Sequence, residues 1–145
     1  MIQRIQSIYL LLSGTSFLSL FKVPFATSAT AIPSLLADGV YNIYDNGVLI
    51  ALAGLGGLLS IVAIFLFNNR MLQLKMSYGS IVLSILLPLV AMLLIYNEGT
   101  ITNHASQIVD GFGIYMPVVA MIFGFLAARF IQKDEQTVQS MDRLR

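Results

Sequence analysis

Cysteine is absent from the 145 residues, which removes disulfides, thiolate metal sites, iron–sulfur clusters and thiol nucleophiles together. Charge is scarce as well. Charged residues make up 10% of the chain and apolar residues 57%, whereas an ordinary soluble domain is about one quarter charged. Lys and Arg number eight against seven Asp and Glu, a net charge of +1, so the overall balance gives no support for binding nucleic acid. No catalytic, metal-ligand or nucleotide-binding motif stands out, and no ionisable residue falls near the middle of any long apolar run. The latter absence weighs against proton coupling and ion conduction, because ions and protons need ligands at membrane depth.

What the chain does have is long apolar runs. Residues 47–67 read GVLIALAGLGGLLSIVAIFLF, without a charge, an amide or a proline. As a helix rising about 1.5 Å per residue this run is about 31 Å long, close to the roughly 30 Å hydrocarbon core of a bilayer. Further runs give spans at about 5–25, 78–96 and 112–130. The expected fold is an all-α membrane protein, one domain of four transmembrane helices in an up-and-down bundle. The first span contains several serines, tolerated in lipid because a hydroxyl can bond the preceding turn. A secretory signal cut near Ala29-Thr30-Ala31 is the rival reading, but the apolar run is long for one and Lys22 interrupts the approach to cleavage. Lys22 costs about 2.5–3.5 kcal/mol at a helix centre; near a span's end its stem lifts the ammonium to the interface.

The connections are short or turn-like. Residues 26–46 form the longest loop, with turn chemistry at Asp38-Gly39 and Asp45-Asn46-Gly47. Between these turns, 40–44 reads as a short strand or an interfacial segment, its two tyrosines suited to the headgroup layer. The 68–77 connection is short enough to make spans two and three antiparallel neighbours. Residues 97–111 make a second polar loop, and 131–145 a polar tail expected to prolong the fourth helix beyond the membrane. Every basic residue except Lys22 falls at the N-terminus, in 68–77 or near the tail, which by the positive-inside rule puts both termini in the cytoplasm.

Small residues recur at packing intervals: Ala53 with Gly57, Gly56 with Ser60, then Ser80, Ser84 and Pro88, then Ala120, Gly124 and Ala128. Such ladders let helices approach closely in lipid and are read as seams within one chain, with homo-oligomerisation the other use. Pro88 and Pro117 are each expected to kink a span. Candidate chemistry is thin. Glu98, His104 and Asp110 share an outer loop, but their spacing matches no ligand motif; His104 with Ser106 and Asp110 lacks an oxyanion element. No metal, cofactor or catalytic residue is expected, and the glycines at 54, 56 and 57 serve packing. The cytoplasmic face is the candidate contact surface. Arg4, Arg70, Lys75, Lys133, Asp134, Glu135, Asp142, Arg143 and Arg145 gather most of the charge there, for docking the tail against the turn or against a protein partner.

Three stretches carry a resemblance: MIQRIQSIYL at 1–10, NRMLQLK at 69–75 and KDEQTVQSMDRLR at 133–145. In these the chain resembles a bacterial membrane family catalogued as domain of unknown function 4293. The resemblance implies a four-span inner-membrane protein of a Gram-negative bacterium, with no assigned activity, substrate or cofactor. It also argues against cleavage after Ala31. The expectation is a non-enzymatic accessory or scaffold subunit. The alternative is a small transporter or a bundle binding a lipid or small molecule, which calls for a polar-lined cavity near Ser80, Ser84 and Pro117.

Overall fold

The computed structural model describes residues 2–28, 38–97 and 108–142, and the side chains of 5–28, 38–97 and 108–140. Four helices carry this part of the chain: α1 (Ile2–Ser19), α2 (Gly47–Phe65), α3 (Arg70–Asn97) and α4 (Met116–Asp142). Their limits follow from local chemistry. Helix α1 stops at Ser19 rather than continuing to 25, because Phe25 must already be extended to give its N–H to the Tyr41 carbonyl at 2.7 Å. Pro24 also biases Val23 away from helix. Lys22 lies in the intervening turn, exposed, its N–H on the Ser19 carbonyl. Asn46 caps α2, its side chain accepting from the Val48 N–H at 2.9 Å. Asn69 does the same for α3 through the Leu72 N–H at 3.1 Å. Helix α3 therefore starts at Arg70, and the connection expected over 68–77 shrinks to a turn. Pro88 lies inside α3. Pro117 does not kink a span: it occupies the first turn of α4, where a missing N–H costs no helical bond, and it is fully buried.

The helices form a closed ring, α1 against α2, α2 against α3, α3 against α4 and α4 against α1. Hydroxyls stitch the ring at its centre. The Ser13 hydroxyl donates to the Ala120 carbonyl at 3.0 Å and lies 3.4 Å from the Ser60 hydroxyl. Ser60 and Ser80 share a hydrogen bond of 2.7 Å, and Ser77 donates to the Gly124 carbonyl at 3.1 Å. Small residues permit the approach: Ala53, Gly56, Gly57, Ala120, Gly124, Ala127 and Ala128 are all buried. Phe17, itself fully buried, lies over Gly56 so closely that a Cβ there would fall 2.5 Å from its ring. Gly54 meets nothing within 4 Å.

Outside the ring the polarity is reversed. Ile8, Leu11, Leu55, Leu58, Val82, Leu89, Leu93, Ile122 and Phe125 are exposed on all four helices, far more contiguous apolar surface than a soluble monomer presents. Three stretches are long and apolar enough to cross a membrane: Gly47–Phe65, Arg70–Asn97 and Phe112–Ser140. The chain is a membrane protein. Helix α1, with 18 residues, is shorter and more polar.

One end of the bundle carries a small antiparallel sheet. Strand β1 (Ala26–Ser28) lies between β2 (Val40–Tyr41) and β3 (Ile108–Asp110), with Ala26 opposite both Tyr41 and Asp110. Gly111 and Gly113 give their N–H groups to the Phe25 and Pro24 carbonyls at 2.8 Å. A Cβ at either would collide with the Pro24 carbonyl, so only glycine fits this crossing. Tyr41 is fully buried and donates to the Ala91 carbonyl at 3.2 Å, tying the sheet to α3. A 3-10 turn over Ile43–Asp45 then leads into α2, closed by the Asn42 N–H on the Asp45 carboxylate at 2.6 Å.

Two outcomes follow. Gly56→Ala should lower stability in micelles by about 1–3 kcal/mol, because Phe17 has to move in a packed core; Gly54→Ala should leave it unchanged or raise it by up to about 1 kcal/mol. Denaturant melts of the two variants check this, and equal effects would contradict the packing. Burial pushes the Asp45 carboxyl above its ordinary range; the Asn42 N–H opposes this and the like charge of Asp38 adds to it. The folded cap thus holds that proton more tightly than the unfolded chain, so this contribution is full below the unfolded pKa and is lost as pH rises through the raised one. Relative to the wild-type protein, Asp45→Asn should therefore gain melting temperature as pH rises from about 3 to 7, whereas parallel curves would show that Asp45 has no part in it.

Candidate functional site

The end opposite the sheet holds the residues that sequence singled out. Three elements meet there. From α1, Gln6 is buried and its amide donates to the Phe130 carbonyl at 3.2 Å, while the Tyr9 ring stacks on Phe130 at 5.4 Å between centroids. From α3, the Arg70 Nε lies 3.4 Å from Asp134 Oδ2 and its Nη1 lies 4.0 Å from Glu135 Oε2. From α4, Ile131 is buried together with Leu10, Ala63 and Ala127. Past Ile131 the helix continues to Asp142 with Gln132, Lys133 and Gln136 exposed.

The electrostatics of this corner are lopsided. Asp134 and Arg70 retain only 13% and 23% of their side-chain exposure, and Asp134 Oδ2 is buried with no hydrogen bond beyond the ionic contact. Glu135 is shared: its Oε1 also accepts from the Gln139 amide at 3.0 Å, one turn further along α4. Two open grooves flank the helix. One of about 520 Å³ runs between the turn at Phe67–Met71 and the side chains of Glu135 and Val138. The other, of about 640 Å³, runs along Arg129, Phe130, Lys133 and Gln136.

Of the candidate contact residues, the fold brings Arg70, Asp134 and Glu135 together. Lys75 and Lys133 are exposed on α3 and α4. The side chains of Arg4 and Asp142, together with Arg143 and Arg145, lie outside the described residues, as do Ala29-Thr30-Ala31, Glu98, His104 and Ser106. Among the described residues no three His, Cys, Asp or Glu side chains gather as metal ligands do. Sequence places Gln6 at the edge of the first span, beside Arg4, and gives Gln73 no role; both are buried here. Their signal was periodic: Gln73, Ser77, Ser80 and Ser84 recur at helical intervals, as do Gln6 and Ser13.

A family model described as domain of unknown function (DUF4293) matches residues 2–144. The chain belongs to the DUF4293 family. No curated protein and no solved structure matches it. In this DUF4293 chain the three stretches that carried the resemblance, far apart in sequence, reach the same end of the bundle through Gln6, Arg70 and Asp134.

Removing Arg70 leaves a buried carboxylate oxygen without its cation. We expect Arg70→Ala to destabilise the protein by about 1–2 kcal/mol, below the cost of breaking a fully buried pair because both side chains keep some solvent. The double variant Arg70→Met/Asp134→Leu should recover most of that loss. Micelle melts and tryptic nicking after Lys133 measure it, and a double variant as unstable as the sum of the single ones would rule the pair out as a brace.

Proposed function

We propose that this DUF4293 protein is a four-span protein of the bacterial inner membrane with both termini in the cytoplasm. It acts there as a non-enzymatic accessory or scaffold subunit whose charged face receives a protein partner. The observation that carries this reading is the bracing of α4. At 27 residues the helix is about 40 Å long, about 10 Å more than a bilayer core needs. Gln6, Tyr9 and Arg70 hold it near the point of exit. A helix that only had to end would need no such hold; one that presents Gln132, Lys133 and Gln136 in a fixed direction does.

Two observations support the fourth crossing. Helix α1 runs antiparallel to α4, pairing Gln6 with Phe130 and Ser13 with Ala120. Its outer face, Ile5, Ile8, Leu11 and Leu18, is as apolar and exposed as those of its neighbours. The orientation rests on the basic residues gathered at the charged end, with Lys22 alone at the sheet end.

A second reading, a bundle binding a lipid or small molecule, has an apolar pocket of about 240 Å³ beside Pro88 in its favour. The polar cavity that a solute transporter calls for near Ser80 and Ser84 has less support. Those side chains are buried, with Ser80 bonded to Ser60 and Ser84 to the Ile81 carbonyl.

The natural absence of cysteine makes the topology directly testable. A cysteine at Asp38 should react with a membrane-impermeant maleimide in intact spheroplasts, and one at Gln139 only after lysis; the reverse pattern would overturn the orientation. For the partner, a tag between Thr102 and Ser106 leaves the charged face untouched. Gentle solubilisation at native expression should then yield a companion in fixed proportion that is lost on deleting 133–145. A clean monomer or homo-oligomer would move the weight to the second reading.

A further inference from the structure

The pocket beside Pro88 is remote from the charged end. It lies beneath the sheet, walled by Phe25, Tyr41 and Ile108 on one side and by Pro88, Ala91 and Ile95 of α3 on the other. Asp110 stands at its edge. An apolar cavity of about 150 Å³ already suffices to stay dry and hold a benzene; this one, at about 240 Å³, is larger. The Tyr41 hydroxyl donates to the Ala91 carbonyl, so what the wall offers a ligand is mainly carbon.

What lies against the pocket follows from its surroundings. Met92 belongs to its wall and is 66% exposed, flanked by Leu89 at 52% and Leu93 at 58%. In a bilayer these side chains are covered by acyl chains, so the medium at the pocket is hydrocarbon. From Pro88 to Ile95 the wall rises about 10 Å along α3, the depth of the methylenes nearest a headgroup, and α3 ends just beyond at Asn97. The charge at this level has one dominant sign. Among the described residues the sheet end carries Asp38, Asp45 and Asp110 against Lys22. A carboxylate beside the pocket repels an anionic headgroup and attracts an ammonium.

We propose that this pocket holds the headgroup-proximal part of one acyl chain of an outer-leaflet phospholipid with an ethanolamine headgroup, whose ammonium lies at Asp110. The proposal rests on the membrane placement above and goes beyond the accessory reading. Ala91, 6% exposed, leaves the room for the chain, and Asp110 selects the head.

The test is native mass spectrometry of the full-length protein, extracted in mild detergent and exchanged into micelles doped with equal phosphatidylethanolamine and phosphatidylglycerol. The wild-type protein should retain one phosphatidylethanolamine per chain. Ala91→Phe should lose it by about tenfold or more, as a filled pocket loses several buried methylenes. Asp110→Asn, a surface change that leaves the walls intact, should still retain a lipid but with its preference for phosphatidylethanolamine reduced about threefold, the scale of an exposed charge pair. Absence of bound lipid on a folded, carbonate-resistant wild-type protein would overturn the proposal. So would undiminished retention in Ala91→Phe, or an unchanged headgroup ratio in Asp110→Asn. Extraction by alkaline carbonate would instead overturn the membrane placement, and the pocket's occupant with it.

Discussion

In hydrocarbon an apolar helix face gains nothing by turning inward, and this structure depends on what replaces that gain. Helices held in lipid associate through close approach and hydrogen bonds. Here both occur at the same level: Ser13, Ser60, Ser77 and Ser80 bond one another and the carbonyls of Ala120 and Gly124. Those carbonyls lie inside α4, and each has a second lone pair for the incoming hydroxyl. A bond of this kind contributes about 0.6 kcal/mol, so no single serine holds the bundle. Closeness does the rest, which is why glycine and alanine lie beside the serines and why Phe17 seats directly on Gly56. Serines gather at the centre of the ring, while Leu11, Leu55, Leu58, Leu89 and Leu93 face outward.

This inversion explains which parts of the fold were legible in the sequence. Spans and small-residue ladders are local patterns, and Ala53, Gly56, Gly57, Ser60, Ala120, Gly124 and Ala128 all proved to be buried. Of the sheet, only the neighbourhood of β2 was legible, as a short strand or interfacial segment over 40–44; its pairing partners were not. Strands of two or three residues carry no alternation, and β1 pairs with β3 from about eighty residues away along the chain. Pro117 was misread for a related reason: whether a proline kinks a helix or opens one depends on where the helix begins, and that start is set by the crossing of Gly111 and Gly113 over Pro24. At the charged end, topology assigned Arg70, Asp134 and Glu135 to one side. Their pairing required the register between α3 and α4, which the Ser77–Gly124 contact reports and no local pattern contains.

The two ends of the bundle are secured by different means. At the sheet end, the backbone does most of the work through strand pairing and through N–H groups from glycines too crowded to carry a side chain. At the charged end, side chains do it: one amide and one aromatic stack from α1, and one ion pair from the start of α3. Backbone pairing tolerates substitution wherever a side chain points away, whereas a side-chain brace requires particular residues. Both of the stretches that brace α4, and α4's own tail, are those in which the chain resembles its family.

Simple anchorage does not account for that investment. Burying Gln6 and Asp134 is unfavourable unless each finds a partner, and Asp134 Oδ2 finds only an ionic one. A tail free to fray into water would avoid the burial altogether at little cost in the membrane. The helix instead continues, held on two sides, with a groove along each flank. What the burial secures is the direction in which α4 continues past Ile131.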